Sequence, residues 1–130
     1  MSHILVYPTE TVAKIMRKRV VKTTPDDTLR HAAELMIKLD IGSIVVAEQD
    51  HPVGIITERD CVRLIAGGKP SDARVGEVMT TPLIVCESSK KVTDAFVLMA
   101  ENKIDHLPII DDGKLVGIVA SRDLLMATLV

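Results

Sequence analysis

The sequence predicts an α+β fold: two strand–helix–strand–strand–helix repeats related by a pseudo-twofold axis, with small sheets covered by helices. Three observations predict it. Val12–Arg63 superposes on Val75–Met126 at one offset of 63 residues without a gap, with eleven identical positions, among them Met16 and Met79, Ala32 and Ala95, and Gly54 and Gly117. A fixed period marks stacked supersecondary units that cannot each bury their own apolar face. Within each copy, apolar residues recur at helical spacing over one stretch and run almost unbroken as Ile and Val over two others. The first pattern is an amphipathic helix and the second a buried strand. Length agrees: a unit of about 60 residues buries only about 60% of its unfolded surface and is marginal alone, whereas 130 residues with 47% apolar side chains suffice for a shared core.

Taken in order, each copy opens with a short helical turn, Thr11–Met16 and Val75–Met79, followed by a short strand, Val20–Thr23 and Leu83–Cys86. Thr24 is placed to cap a helix, with Pro25 at its first position and Asp26-Asp27 against the positive end of the dipole. Ser88 or Ser89 takes that part in the second copy. Leu29, Ala32, Ala33, Met36 and Ile37 form the helix stripe, repeated by Val92, Ala95, Phe96, Met99 and Ala100. Strand pairs follow at Ser43–Ala47 with Val53–Thr57 and at His106–Ile110 with Leu115–Ala120. The second pair is joined by the turn Asp111-Asp112-Gly113-Lys114. A last helix begins at Glu58 and again at Ser121, and Gly67-Gly68-Lys69-Pro70-Ser71 links the copies. The expected organisation is a leading segment 1–10, one copy over 11–66, a linker 67–74 and a second copy over 75–130, in one compact module.

Composition removes several function classes. A net charge of −2 and only two aromatic residues, Tyr7 and Phe96, leave neither a basic field for a nucleic-acid backbone nor stacking platforms for bases. The one basic cluster, Arg17-Lys18-Arg19, reads as a solvated turn. No apolar run reaches the roughly 18 residues of a membrane span, and His3–Tyr7 is too short and lacks the basic leader of a signal peptide. Cys61 and Cys86 stand without a CxxC partner, as reduced cysteines of a cytoplasmic protein do. His3, His31, His51 and His106 have no metal-ligand spacing, and no metal site is expected. His31 and His51 read as surface residues, and the six methionines as core filler.

The segment carrying chemistry is Gly54-Ile55-Ile56-Thr57-Glu58-Arg59-Asp60, with its counterpart Gly117-Ile118-Val119-Ala120-Ser121-Arg122-Asp123. One reading is a capping box between Thr57 and Asp60. It explains the second copy poorly, since Ala120 replaces the cap while Asp123 stays. Nor does it explain Arg59 and Arg122, because a cation in the first turn opposes the helix dipole by about 0.3–1 kcal/mol. The other reading is a ligand site. Glycine admits a ligand or a second backbone, a carboxylate accepts both hydroxyls of a ribose, and free N–H groups at the helix start receive phosphate. The residues alone leave the two readings about even.

The paired G-h-h-T-x-x-D segments, Thr24-Pro25, the run Lys103-Ile104-Asp105-His106-Leu107-Pro108 and the 63-residue duplication together resemble a tandem pair of CBS (cystathionine-β-synthase) domains. The resemblance spans Thr11 to about Ala127. It implies a regulatory, non-enzymatic module that binds an adenosine ligand (AMP, ADP, ATP or S-adenosylmethionine) between the repeats, needs no other cofactor, and dimerises through its helices into a homodimer. Two crossed sites are implied. In one, Asp60 holds the ribose and Thr57 the phosphate side, with Arg59 nearby, facing Val85, Cys86, Ile104, Asp105, His106 and Pro108. In the other, Asp123 holds the ribose beside Ser121 and Arg122, facing Thr23, Thr24, Ile41, Ser43 and Val45. The Asp60 motif is complete. Ala120 interrupts the Asp123 motif unless Ser121 substitutes, which favours the Asp60 site. Asp105 beside the phosphate path repels a polyphosphate by a few kcal/mol at an effective dielectric of about 20, which favours a monophosphate or an uncharged tail. No effector domain accompanies the repeats, so the implied action is in trans on a protein target. The competing expectations are a dimerisation or interaction scaffold with no nucleotide and, more distantly, a small hydrolase or transferase.

Overall fold

A computed structural model describes residues 10–128, with the order of elements expected from the repeat. The His3–Tyr7 stretch lies outside the described residues. The chain divides into two compact units: one is Val21–Leu83, and the other joins the chain up to Val20 to the chain from Ile84 onward. Each unit thus takes its opening turn from the other copy of the repeat.

In the unit Val21–Leu83, β1 (Lys22–Thr23) pairs parallel with β2 (Ser43–Glu48), which pairs antiparallel with β3 (His51–Thr57). Helix α1 (Leu29–Leu39) lies between β1 and β2 in sequence; α2 (Glu58–Ala66) follows β3 directly. The short α3 (Val75–Val78) opens the second copy and packs here. Residue 80, just beyond it, exchanges two backbone bonds with Ile55, Thr80 N to Ile55 O at 2.8 Å and Ile55 N to Thr80 O at 3.1 Å. The core is Leu29, Ala32, Met36, Ile44, Val46, Ile56 and Val75.

The other unit repeats this plan. A 3-10 turn at Val12–Lys14 stands for α3, and α4 (Val92–Asn102), β4 (His106–Asp111), β5 (Lys114–Ala120) and α5 (Ser121–Thr128) follow. Arg17 and Ile118 exchange the same two backbone bonds, at 2.9 and 3.0 Å. Its core is Val12, Val92, Ala95, Met99, Leu107, Ile109 and Val119. Every one of these positions is the 63-residue counterpart of a core position in the first unit, so the repeat is conserved where it is buried. Each Val, Leu, Ile or Met among them, withdrawn from water, contributes about 1.5–3 kcal/mol.

The motif glycines serve this exchange of turns. A Cβ on Gly54 would stand 2.5 Å from the Met79 sulfur and 3.1 Å from the Thr80 carbonyl oxygen; on Gly117 it would stand 2.6 Å from the Met16 sulfur and 3.0 Å from the Arg17 carbonyl oxygen. They admit a second backbone rather than a ligand.

Four local expectations are corrected. Helix α1 starts at Leu29 with Thr28 as its cap, the Thr28 hydroxyl accepting from the His31 N–H at 3.1 Å. Thr24-Pro25 forms a preceding turn instead, because the Pro25 and Asp27 carbonyls are taken by the N–H groups of Gly76 and Val75. Likewise α4 is preceded by Lys91 without a side-chain cap, and Ser88 binds Asp111. The strand expected over Leu83–Cys86 is reduced to one bridge, Cys86 with Ile109. In the first copy Val45 donates its N–H to Val21 O at 3.1 Å; its counterpart Pro108 has no N–H to give. The first hairpin closes through Gln49-Asp50, both at positive φ, as tightly as the expected Asp112-Gly113 turn. Finally, Ile37 leaves the helix stripe: it is 85% exposed, and Phe96 and Ala100 are exposed as well.

Candidate functional site

At the junction of β3 and α2 the capping box forms. Thr57 Oγ1 accepts from the Asp60 N–H at 3.1 Å, and Asp60 Oδ2 accepts from the Thr57 N–H at 3.0 Å. Oδ2 also receives the Thr80 hydroxyl at 3.4 Å, and Oδ1 lies 3.5 Å from the Arg63 guanidinium. Asp60 is 8% exposed. Ser43 is buried opposite Thr57 in the strand register, and the Gly42 carbonyl accepts from the Glu58 N–H at 3.0 Å. Thr57, Asp60, Ser43, half-buried Ile41 and buried Val45 thus belong to one unit, whereas Arg59 and Thr24 are exposed.

Thr23 is engaged elsewhere. Its hydroxyl donates to Asp27 Oδ2 at 2.6 Å, while Asp27 Oδ1 accepts from the Thr28 N–H at 2.8 Å and His31 Nδ1 lies 2.7 Å from Oδ2. Burial alone would raise the Asp27 carboxyl. The hydrogen bonds from Thr23, His31 and Thr28 outweigh it and hold the group below the ordinary carboxylate value. His31 is exposed, as expected of a surface residue, yet it is tied to this carboxylate.

At the junction of β5 and α5 the box is half present. Asp123 Oδ2 accepts from the Ala120 N–H at 3.1 Å although Ala120 offers no hydroxyl in return. The objection to capping in the second copy is therefore overturned: the reciprocal bond needs only the backbone N–H of residue 120. Asp123 Oδ1 receives the Arg17 guanidinium at 2.9 Å. Ser121 does not replace the missing cap; its hydroxyl donates to Asp105 Oδ1 at 3.3 Å and its N–H to the Asp105 carbonyl at 2.8 Å. His106 is half-buried opposite Ala120, Ile104 half-buried, Pro108 buried, and Arg122 exposed.

Val85 and Cys86 line a cavity of about 680 Å³ with Lys90, Asp94, Leu98 and Asp112. Burial pushes the Cys86 thiol up, as it does the Cys61 thiol. Arg17 and Thr80 were not among the residues expected at a site. The signal was available: they are 63-residue counterparts, each following the opening turn, and each reaches the motif aspartate of the unit it packs in. Among the described residues no group of three or more His, Cys, Asp or Glu side chains is placed to hold a metal.

Two repeats of this plan, each ending in a glycine-bearing strand that runs directly into a helix with an aspartate at its third position, define a tandem α+β repeat fold. The CBS domain model matches residues 12–67 and 75–129, and the chain belongs to the CBS domain family as a pair of repeats. It is 40% identical over 118 residues to a protein of Methanopyrus kandleri, covering 88% of this chain and 60% of that one. It is 40% identical over 114 residues to the CBS domain-containing protein YhcV of Bacillus subtilis, covering 87% and 81%. The chain thus spans less than two thirds of the archaeal relative. Among solved structures, the CBS domain pair of protein MJ0100, in complex with 5′-methylthioadenosine and S-adenosyl-L-methionine, is similar at a TM-score of 0.85 and 27% identity, covering 92% of this chain and 95% of that one. No helix among the described residues is long and apolar enough to cross a membrane.

Proposed function

We propose that this CBS pair is a regulatory module that binds an adenosine-derived ligand, with Asp60 and Asp123 accepting the ribose hydroxyls. The observation that carries the reading is the pairing of two conditions. A similar CBS pair holds 5′-methylthioadenosine and S-adenosyl-L-methionine, and this chain keeps an aspartate at the same step of both repeats. Capping does not exhaust these carboxylates. Each oxygen has two acceptor lone pairs, and Asp60 Oδ1 faces only a 3.5 Å ion pair in the contacts described above. Thr57 flanks the Asp60 site; Ser121, Arg122 and Asp105 flank the Asp123 site. The module works without chemistry of its own, in the cytoplasm, as a homodimer. Support for the dimer comes from apolar side chains left in water: Ile37 on α1, Val62 at 71% exposure and Ile65 on α2, Phe96 and Val97 on α4.

Thermal denaturation of the full chain with AMP, ADP, ATP, 5′-methylthioadenosine and S-adenosylmethionine tests the reading. A ligand at a hundredfold excess over its Kd adds about 2.7 kcal/mol of stability. A shift with at least one compound, lost in the Asp60→Ala, Asp123→Ala double variant, supports it. No shift with any of them supports the second reading, an interaction scaffold without nucleotide, which the complete capping box at Asp60 favours.

A further inference from the structure

The two motif aspartates have counterparts not only in the repeat but in what touches them. Arg17 and Thr80 are the same position of the repeat, one residue beyond Met16 and Met79. Both sit where the opening turn crosses the last strand, and both turn a side chain onto the aspartate. At Asp60 that side chain is a neutral hydroxyl, 3.4 Å from Oδ2. At Asp123 it is a guanidinium, 2.9 Å from Oδ1. We infer that Arg17 is a specificity-determining residue that makes the Asp123 site select phosphate-bearing adenosine ligands more strongly than the Asp60 site, where Thr80 takes its place and the guanidinium of Arg63, on the aspartate's own helix, stands off at 3.5 Å.

The inference rests on the ribose-binding reading of Asp123 and adds the ligand class. A ligand whose diol takes Asp123 Oδ1 must share that oxygen with Arg17 or displace it. For a neutral nucleoside the displaced guanidinium has lost its carboxylate with nothing in exchange. A 5′-phosphate lies one sugar ring from the diol, within the sweep of an arginine side chain, and offers the planar fork a bidentate partner. Arg17 is free to make that move: its side chain is 48% exposed, against 16% for that of Asp123. The neighbouring Lys18 and Arg19 are exposed too, so an anion arriving there meets positive charge. A residue read from sequence as part of a solvated turn thus supplies the guanidinium in direct contact with Asp123.

Titration calorimetry on the full chain compares AMP with 5′-methylthioadenosine, which shares the adenosine and lacks the phosphate. In an Asp60→Ala background, which isolates the Asp123 site, AMP is expected to bind more tightly than 5′-methylthioadenosine. Adding Arg17→Thr should weaken AMP by about tenfold or more, the worth of a charge-assisted bond, and leave 5′-methylthioadenosine unchanged or tighter. Arg17→Lys should retain part of the preference. The reciprocal Thr80→Arg in an Asp123→Ala background should create a preference for AMP at Asp60, a gain that misfolding cannot mimic. Equal weakening of both ligands by Arg17→Thr, or no change in their ratio, overturns the inference and leaves the ribose reading standing. If the unmodified chain binds neither compound, the ribose reading itself fails and takes the inference with it.

Discussion

Asp60 and Asp123 start from the same position of the repeat and end in different company. Asp60 sits in a complete capping box with a threonine on each side, Thr57 and Thr80. Asp123 keeps only the backbone half of the box and holds Arg17 at 2.9 Å, closer than Arg63 stands to Asp60 at 3.5 Å. The cores beneath them are position-for-position equivalents. The duplicated chain therefore keeps apolar residues at matched interior positions and varies the rim, where Thr57 is matched by Ala120 and Thr80 by Arg17. A repeat that keeps its apolar positions and diverges at the rim keeps one fold and acquires two chemically distinct carboxylates.

The largest effects should come from the shared interior. Ile44 and Leu107 are counterparts, both wholly buried. Ile44→Ala and Leu107→Ala should each cost about 2–5 kcal/mol, read by urea denaturation. A cost at one site several-fold that at the other would break the equivalence of the two cores. The rim comes next: Thr57→Ala removes the hydroxyl half of the box and should cost about 1 kcal/mol, while Ala120→Thr should recover a similar amount by completing the second box. A neutral Ala120→Thr would show that the added hydroxyl does not reach the Asp123 N–H and that the second box stays half formed.

The smallest effect is a pH dependence at Asp27. Asp27 is held below its ordinary pKa by Thr23, His31 and Thr28, and its counterpart in the repeat is Lys90, so the second unit has no carboxylate at the matched position. The folded form binds the Asp27 proton more weakly than the unfolded form, so stability rises with pH across the gap. The contribution is complete above the unfolded value of about 3.9 and disappears as pH falls through the depressed folded value. Asp27→Asn should therefore lower the melting temperature at pH 6 and converge with the unmodified protein in strong acid. A gap that persists unchanged at low pH would assign the effect to lost packing.

The interior was legible because buried positions obey a period: the apolar spacing and the 63-residue offset locate all fourteen core residues as pairs. Where reading failed, a backbone need outweighed a residue's usual habit. Thr24-Pro25 has the composition of a helix start, but the Pro25 and Asp27 carbonyls are claimed by the turn of the other copy, and the helix waits for Thr28. Pro108 was visible as a strand residue, yet the cost of its missing N–H falls on its neighbour at Leu83–Cys86. Gln49-Asp50 carries no turn signal of the Asn-Gly kind and still closes a two-residue hairpin. At the candidate site, Asp60, Thr57, Asp123 and Asp105 could be named from the motif. Arg17 was missed because exposed basic runs are usually solvated and its contact with Asp123 spans 106 residues of chain, although its match to Thr80 in the repeat was there to read.

The most direct measurement is a calorimetric titration of AMP, 5′-methylthioadenosine and S-adenosylmethionine into the full chain and into Asp60→Ala, Asp123→Ala and the double variant. If the carboxylates hold ribose, each single variant loses one class of site and the double variant binds none of the three, while circular dichroism reports intact folds. Undiminished binding by a folded double variant would contradict the account.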